Sequence, residues 1–341
     1  MKFIIDAFGG DSPKEIIKGA VLALENADIG LVLTGDKTEL NSELAKYSFD
    51  KSRIEIIHAP QMVTNDDVPT SVITDKPESS LVTAFKSLKE RNDIDALISA
   101  GNTGAVLACG IFILGRIPGI KRPALASLLP AINGKTVCLI DSGANIDCDP
   151  LYLTQFALMG ASFMQGVYNI EKPKIALMSV GSEDKKGNKL TKETFEILRK
   201  MPVNFIGNME ARETLSGDYD VVVCDGFIGN VVLKGIEGTA KIVMKLLGGN
   251  LTKNLPKDTD PSFIKKSFNE TLSLMDFNSN GGAPLLGINK LVLKVHGTAN
   301  SDTIKNAVVQ VSKMVKGKVV EKIKKIESFI LEQKLQFVSR I

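Results

Sequence analysis

Apolar runs of four to seven residues, mostly β-branched, recur along the chain. Each closes on small or turn-forming residues and gives way to apolar positions at helical spacing. The runs predict strands over 3–7, 31–34, 54–58, 96–99, 136–140, 174–180, 203–206, 221–224 and 291–295. Between them, helices are predicted over 13–25, 78–91, 104–115, 150–166, 191–200 and 228–247. In the first helix Asp11 or Ser12 caps and Pro13 takes the first turn, with Ile16, Ile17, Ala20, Val21 and Leu24 on one face. Such alternation predicts a doubly wound α/β fold, a largely parallel sheet with helices on both sides.

One region departs from the alternation. Helical patterns over 236–247 and 262–277 have no convincing strand between them, only a Gly-Gly loop with two leucines among lysines. Their apolar faces predict a protruding pair of amphipathic helices that meets a second subunit. The tail over 304–337 also reads as helix, with Val308, Val311, Val315, Val319, Ile323, Ile326 and Ile330 on one face and lysines solvated on the other. The expectation is one domain over 1–341, with 236–277 protruding and 304–341 as a C-terminal helix.

Composition narrows the class. The 341 residues are 44% hydrophobic and 24% charged, enough apolar material for a large core. A net charge of +3 gives no nucleic-acid footprint. Cys109, Cys138, Cys148 and Cys224 lie far apart, as expected of reduced thiols, and His58 and His296 are too few for a zinc pattern. The opening apolar run is stopped by Asp6, so no signal peptide is expected. The stretch over 105–115 is too short to span a bilayer and reads as a buried helix.

Candidate chemistry lies at the strand ends, where doubly wound sheets bind ligands. Asp6-Ala7-Phe8-Gly9-Gly10-Asp11 follows the first strand, with glycines for close backbone approach and carboxylates to orient donors. Ser99-Ala100-Gly101-Asn102-Thr103-Gly104 follows the fourth, at a helix start where free N–H groups favour phosphate or carboxylate; the alternative is that Asn102 and Thr103 only cap the helix. Asp141-Ser142-Gly143-Ala144-Asn145, the lysine-bearing loop over 181–189, and Asp225-Gly226-Phe227-Ile228-Gly229-Asn230 with Lys234 complete one polar edge suited to an oxyanion. The spacing matches neither a nucleotide P-loop nor a dinucleotide fingerprint. No G-x-S-x-G elbow occurs, and Cys109 sits among apolar residues with no adjacent base. Asp147-Cys148-Asp149 reads as a turn rather than a metal site.

The strings at 6–11, 99–105, 187–193 and 224–234 closely resemble the bacterial phosphate acyltransferase family (PlsX type), in order and over nearly the whole chain from Met1 to about Ala307. The resemblance implies a homodimeric three-layer α/β/α Rossmann-like sandwich, related to isocitrate/isopropylmalate dehydrogenase and phosphotransacetylase. It implies transfer of a long-chain acyl group from acyl carrier protein to inorganic phosphate, without cofactor or metal. The acyl phosphate product would pass to a glycerol-3-phosphate acyltransferase in phospholipid synthesis. The location implied is cytoplasmic, with peripheral contact at the inner face of the membrane through the tip of the helix pair. Three departures stand out. Phe8 replaces the usual Met, the segment over 75–80 is less basic, and Thr298-Ala299-Asn300 replaces Ser-Ser-Asp.

On this reading phosphate is the nucleophile and no enzyme group need be acylated. Gly101, Asn102, Thr103 and Gly104, with Lys189, are expected to bind phosphate. Asn145, Asn188 and Asn230 are candidates for further phosphate contacts or the oxyanion donor, and His296 for donation to the carbonyl oxygen or departing thiolate. Asp6, Gly9, Gly10, Asp11, Asp141, Asp225 and Lys234 are expected around the cleft, and Lys185, Lys186 and Lys192 beside it to receive an acidic carrier protein. The alternatives are a short-chain phosphotransacetylase using acyl-CoA, a dehydrogenase of the isopropylmalate type, and a non-catalytic membrane scaffold.

Overall fold

The computed structural model describes residues 1–25, 28–254, 261–274 and 281–325. The first half runs β1 (Lys2–Asp6), α1 (Pro13–Glu25), β2 (Gly30–Gly35), α2 (Lys37–Leu44), β3 (Ile54–His58), α3 (Val72–Asp75), α4 (Ser80–Glu90), β4 (Ala96–Ser99) and α5 (Thr103–Cys109). It continues with β5 (Ala124–Pro130), β6 (Thr136–Ile140), α6 (Pro150–Val167), β7 (Ile175–Ser179), α7 (Lys189–Leu198), β8 (Phe205–Glu210) and β9 (Val221–Val223). The last elements are α8 (Gly226–Asn254), α9 (Pro261–Leu274), β10 (Ala283–Leu286), β11 (Leu291–Lys294) and α10 (Ser301–Lys316).

All the strands join one 11-stranded sheet in the order β3-β2-β1-β4-β11-β10-β5-β6-β9-β7-β8. β1, β4, β6, β7 and β9 are almost entirely buried, as unbroken runs of Val, Ile and Leu covered on both faces must be. One covering layer is α1, α6 and α10, which join Phe3, Ile5, Ile98, Ile140 and Val223 in the largest core. On the opposite face α4 and α5 cover Ile4, Val32, Leu97 and Val292, and the start of α8 covers Leu139, Ala176 and Val222. Large side chains such as Phe3, Phe85, Phe156 and Phe163 are wholly buried; each contributes roughly 1.5–3 kcal/mol through removal from water. Where α1 meets α10 the fit needs glycine: a Cβ on Gly19 would lie 2.5 Å from the Ser301 carbonyl oxygen.

The nine expected strands all form, within a few residues of their ends, but β5 and β10 were not expected. β10 runs antiparallel to both β11 and β5, and β5 antiparallel to β6. They join two parallel halves into one sheet. Their sequences, ALASLLP and APLL, lack β-branched residues and contain proline, so strand preference is weak and tertiary pairing decides. α2 was also missed despite a visible signal, since the Asp36 carboxylate caps it by accepting the amides of Thr38 and Glu39 at 2.9 Å.

The helix expected from 228 starts at Gly226 and runs unbroken through Asn254, so the pair begins as the junction helix after β9 and folds back as α9. Leu255, Pro256 and residues 275–277 of that expectation lie outside the described residues. The expected continuous C-terminal helix is corrected: α10 stops at Lys316, and helix resumes over 319–325 after a break at Gly317 and Lys318. The break has a steric cause. Gly317 lies so close to α6 that a Cβ there would sit 2.1 Å from the Gly166 carbonyl oxygen. The expected positions Ile326, Ile330 and Phe337 lie outside the described residues.

Lys318 takes φ +51°, a left-handed conformation that costs a non-glycine residue about 1 kcal/mol. Lys318→Gly is expected to stabilise the fold by roughly 0.5–1 kcal/mol. The urea midpoint should rise at constant slope; an unchanged or lower midpoint contradicts this account of the break.

Candidate active site

At their carboxyl ends β1, β4 and β11 bring three polar residues into register. Ser99 pairs with Asp6 on one side and with Lys294 on the other. Asp6 is wholly buried, and its Oδ2 accepts the Ser99 hydroxyl at 2.7 Å. Ser99 Oγ in turn accepts the Gly101 amide at 3.0 Å. Gly9 must be glycine, because a Cβ there would lie 2.2 Å from Asp6 Oδ2 and 2.9 Å from the Gly101 nitrogen. The loops after β1 and β4 therefore touch backbone to backbone.

In front of these loops lies a cleft of about 460 Å³, walled by Gly9, Gly10, Asp11, Thr64, Asn65, Gly101, Asn102, Thr103, Lys294 and His296. Asn102 caps α5, its Oδ1 accepting the Ala105 amide at 3.0 Å. Among the described residues the amides of Thr103 and Gly104 take no hydrogen-bond partner. A free-amide loop at a helix start carries partial positive charge and takes an oxyanion. Lys294 adds a full charge. Its ammonium is held by the Val295 carbonyl, and burial lowers its pKa to about 8 against the pull of Asp6 and Asp11.

A second cleft of about 360 Å³ adjoins the first and shares Thr103, Lys294 and His296 with it. Leu125, Leu128, Leu129, Leu233, Ala283 and Val295 give it an apolar wall, with Asn230, Lys234 and Ser142 on its polar side. His296 stands where the two clefts meet. Its Nδ1 accepts the Thr298 amide at 3.3 Å and lies 2.8 Å from the Thr298 hydroxyl. Partial burial, then Lys234 and Lys294, hold its pKa below the usual histidine value. A neutral ring with Nδ1 accepting carries its proton on Nε2, the one donor left to the ring.

Several expected site residues take structural roles instead. Asp6 and Asp141 do not face a cleft; both are wholly buried. Asp141 accepts five N–H groups at 2.7–3.1 Å, from the backbone of Leu125, Gly143, Ala144 and Asn145 and from the Asn145 side chain. Burial pushes its pKa up against these donors. The Asn145 amide is spent on Asp141 and on the Pro123 carbonyl at 2.8 Å. Asp225 caps α8 through the Ile228 amide at 2.8 Å. Gly229 lets α8 start against this loop, since a Cβ there would lie 1.9 Å from the Asp141 carbonyl oxygen.

Asn188 caps α7 by accepting the Thr191 amide at 2.9 Å, and the Lys189 side chain is 89% exposed beside Glu193. Neither lines the two clefts. Lys185, Lys186 and Lys192 are exposed on the same loop and helix. His58 lies away from both clefts, with Nδ1 accepting the Lys37 amide at 3.1 Å. Asn300, where a carboxylate was missing, caps α10 through the Thr303 amide at 2.9 Å. Phe8 packs its ring beside Gly35, where a Cβ would meet it at 2.2 Å. Sequence reading missed Lys294 and the wall formed by Thr64 and Asn65. The signal for Lys294 was present, a lysine closing an otherwise apolar strand at the edge where ligands bind.

Burial pushes the thiols of Cys109, Cys138 and Cys148 up to about 12, so none is a thiolate nucleophile at neutral pH. Among the described residues no three His, Cys, Asp or Glu side chains converge as a metal site, and no helix is long and apolar enough to cross a membrane.

This architecture belongs to a recognisable structural class. A phosphotransacetylase from Streptococcus pyogenes superposes with a TM-score of 0.61 at 16% identity, covering 94% of each chain. A 4-hydroxythreonine-4-phosphate dehydrogenase from Klebsiella pneumoniae does so at 0.53 with 14% identity, over 92% of this chain and 99% of its own. These likenesses show the fold, the three-layer α/β/α sandwich expected from the motifs. Sequence goes further. Residues 1–322 match the family described as fatty acid synthesis protein. Phosphate acyltransferases from Clostridioides difficile (strain 630) and Halothermothrix orenii (strain H 168) are 44% and 45% identical over 95% of this chain, and over 95% and 98% of theirs. The chain belongs to the phosphate acyltransferase family, and the resemblance read from its four motifs is borne out.

Asp141→Asn would turn an NH₂ group toward amide donors and leave at least one of them unsatisfied. A loss of roughly 2–4 kcal/mol in urea unfolding is expected. A variant as stable as the parent contradicts the structural role given to Asp141.

Proposed function

We propose that the chain transfers a long-chain acyl group from acyl carrier protein to inorganic phosphate. One observation carries the reading: a polar cleft beside free amides and a second cleft with an apolar wall meet at Thr103, Lys294 and His296. Phosphate occupies the first, against the amides of Thr103 and Gly104, the Asn102 side chain and the Lys294 ammonium. The acyl chain lies along the second, which places the thioester carbonyl at the junction.

A phosphate oxygen attacks the carbonyl carbon, and the carbonyl π electrons move to oxygen. Nε2–H of His296 and the Asn230 side chain are the nearby donors for that oxyanion; a well-placed donor is worth about 10²–10³ in rate. On collapse the C–S bond breaks and sulfur leaves as thiolate, finally taking the proton that hydrogen phosphate brought. Because a thiolate leaves readily near neutral pH, no strong acid is needed and a neutral histidine suffices. Holding both reactants at one junction supplies much of the remaining acceleration.

The exposed lysines at 185, 186, 189 and 192 form the surface that receives the acidic carrier. The exposed apolar residues Val231, Ile242, Val243, Leu246 and Leu247 of α8 are the face a second copy of the chain covers, giving a homodimer. The product is a mixed anhydride, and its consumer is an acyltransferase acting on glycerol 3-phosphate. The location that follows is the cytoplasm, with peripheral contact at the inner membrane face.

Palmitoyl-carrier protein incubated with the enzyme should release free thiol only when phosphate is present. Acetyl-CoA should be a poor donor; the reverse preference would establish the short-chain phosphotransacetylase instead. Lys294→Met should raise the phosphate KM at least about tenfold, the worth of a charge-assisted contact. The ammonium is charged below about 8, so in the parent enzyme the phosphate KM should climb as pH rises through that value. Thiol release independent of phosphate contradicts the reading.

A further inference from the structure

Asp6 is buried behind the first cleft and touches no ligand position, yet its surroundings are built around its charge. It lies on the sheet face covered by α4 and α5, in register with Ser99 and, one strand beyond, Lys294. Oδ2 accepts the Ser99 hydroxyl, which in turn accepts the Gly101 amide, so the carboxylate and the phosphate loop are two hydrogen bonds apart. Oδ1 has no hydrogen-bond partner among the described residues, an uncommon state for a buried carboxylate oxygen. A site that only packed strands together would place an apolar residue here, since an isolated buried charge costs several kcal/mol. Burial pushes the Asp6 pKa up, and the Ser80 and Ser99 hydroxyls, the Phe8 amide and, after them, the Lys294 charge act against that push.

We propose, on the reading above, that Asp6 is a positioning residue for phosphate. Through Ser99 it fixes the Gly101 amide at the start of the anion loop, and through its own charge it keeps the Lys294 ammonium cationic at the cleft wall. Phosphate then meets a loop held at a set angle and a lysine that does not shed its proton as the cleft fills. The groups facing Lys294 are Asp6, Asp11 from the loop after β1, and Lys234 from α8. Those facing Asp6 are Ser80 of α4, Ser99, the Phe8 amide and Lys294. The Cys109 thiol of α5 is also near, and stays neutral throughout the working range. Lys234 repels Lys294 but is paired with Glu237 at 2.8 Å. Asp6 and Asp11 are thus the two groups that hold the proton on Lys294.

The test is steady-state kinetics of the full-length enzyme, with palmitoyl-carrier protein and phosphate varied separately over pH 6–9.5. Asp6→Asn keeps the shape and removes the charge. The alkaline rise in phosphate KM should then move down by at least about one pH unit, the usual effect of removing a neighbouring opposite charge. The carrier-protein KM should stay within about threefold of the parent. Ser99→Ala keeps the charge and cuts the link to Gly101. It should raise phosphate KM at every pH and leave the alkaline rise where it is.

An unmoved alkaline rise in Asp6→Asn, or an unchanged phosphate KM in Ser99→Ala, overturns the proposal. Should Asp6→Asn fail to fold, Ser99→Ala alone still decides the link to the loop, and titration of the parent's phosphate KM after Asp11→Asn decides the charge. If Asp11 alone moves the rise by the full amount, Asp6 is not the counter-charge. In all these cases the parent enzyme still transfers acyl groups to phosphate, so failure here is separate from failure of the proposed function.

Discussion

Amides freed where a buried strand passes into a helix have to be satisfied by something, and in this protein the first cleft is shaped by that requirement. The strands are covered on both faces, so only their carboxyl edge meets solvent with polar backbone exposed. After β4 the chain gives the Gly101 amide to Ser99 and the Ala105 amide to Asn102. The amides of Thr103 and Gly104 are left without a partner among the described residues, Thr103 at the wall of both clefts. Glycines at 9 and 101 let the neighbouring loop approach closely, and the first cleft lies open in front of them.

Two buried carboxylates, at the carboxyl ends of the oppositely running strands β1 and β6, resolve their charge in different ways. Asp141 gathers five N–H groups and behaves as a knot that fixes the loop from β6, the start of β5 and the start of α8. Asp6 takes the Ser99 hydroxyl on Oδ2 and leaves Oδ1 without a hydrogen-bond partner among the described residues, with half-buried Lys294 across the intervening strand. The first arrangement is self-contained and organises structure. The second is incomplete in itself, which ties it electrostatically to whatever occupies the cleft. The antiparallel insertion of β10 and β5 matters here as well, because it opens the apolar second cleft beside β11 and sets Lys294 and His296 on the boundary between the two.

Much of this was legible in the sequence. Regular β-branched runs gave nine strands, and Asp, Ser, Asn and Gly at their ends marked the edge where chemistry sits. The strands missed were those whose residues carry little strand preference of their own, β5 and β10, which exist because neighbours pair with them. At the site, the string around Asn102 marked a loop that does line the first cleft, and His296 stands at the cleft as well. The pattern did not separate ligand-facing amides from those spent internally. Asn145 and Asn188 carry the same chemistry in sequence as Asn102, but the Asn145 amide is taken up by Asp141 and the Pro123 carbonyl, and Asn188, a helix cap like Asn102, lines neither cleft. Lys294 was passed over although it closes an apolar strand at a ligand-binding edge, because such a lysine ordinarily points to solvent and only the fold shows this one half-buried at the cleft wall.

The central claim is that free amides of the loop after β4 and half-buried Lys294 hold phosphate at the junction of two clefts. A crystal structure of the enzyme with phosphate and a non-hydrolysable long-chain acyl analogue tests it most directly. The account predicts the anion within hydrogen-bond distance of the Thr103 and Gly104 amides and of Lys294 Nζ, with the alkyl chain running along Leu125, Leu128 and Leu233. Phosphate bound instead at the loop of residues 181–189, with the first cleft filled by the alkyl chain, would contradict it.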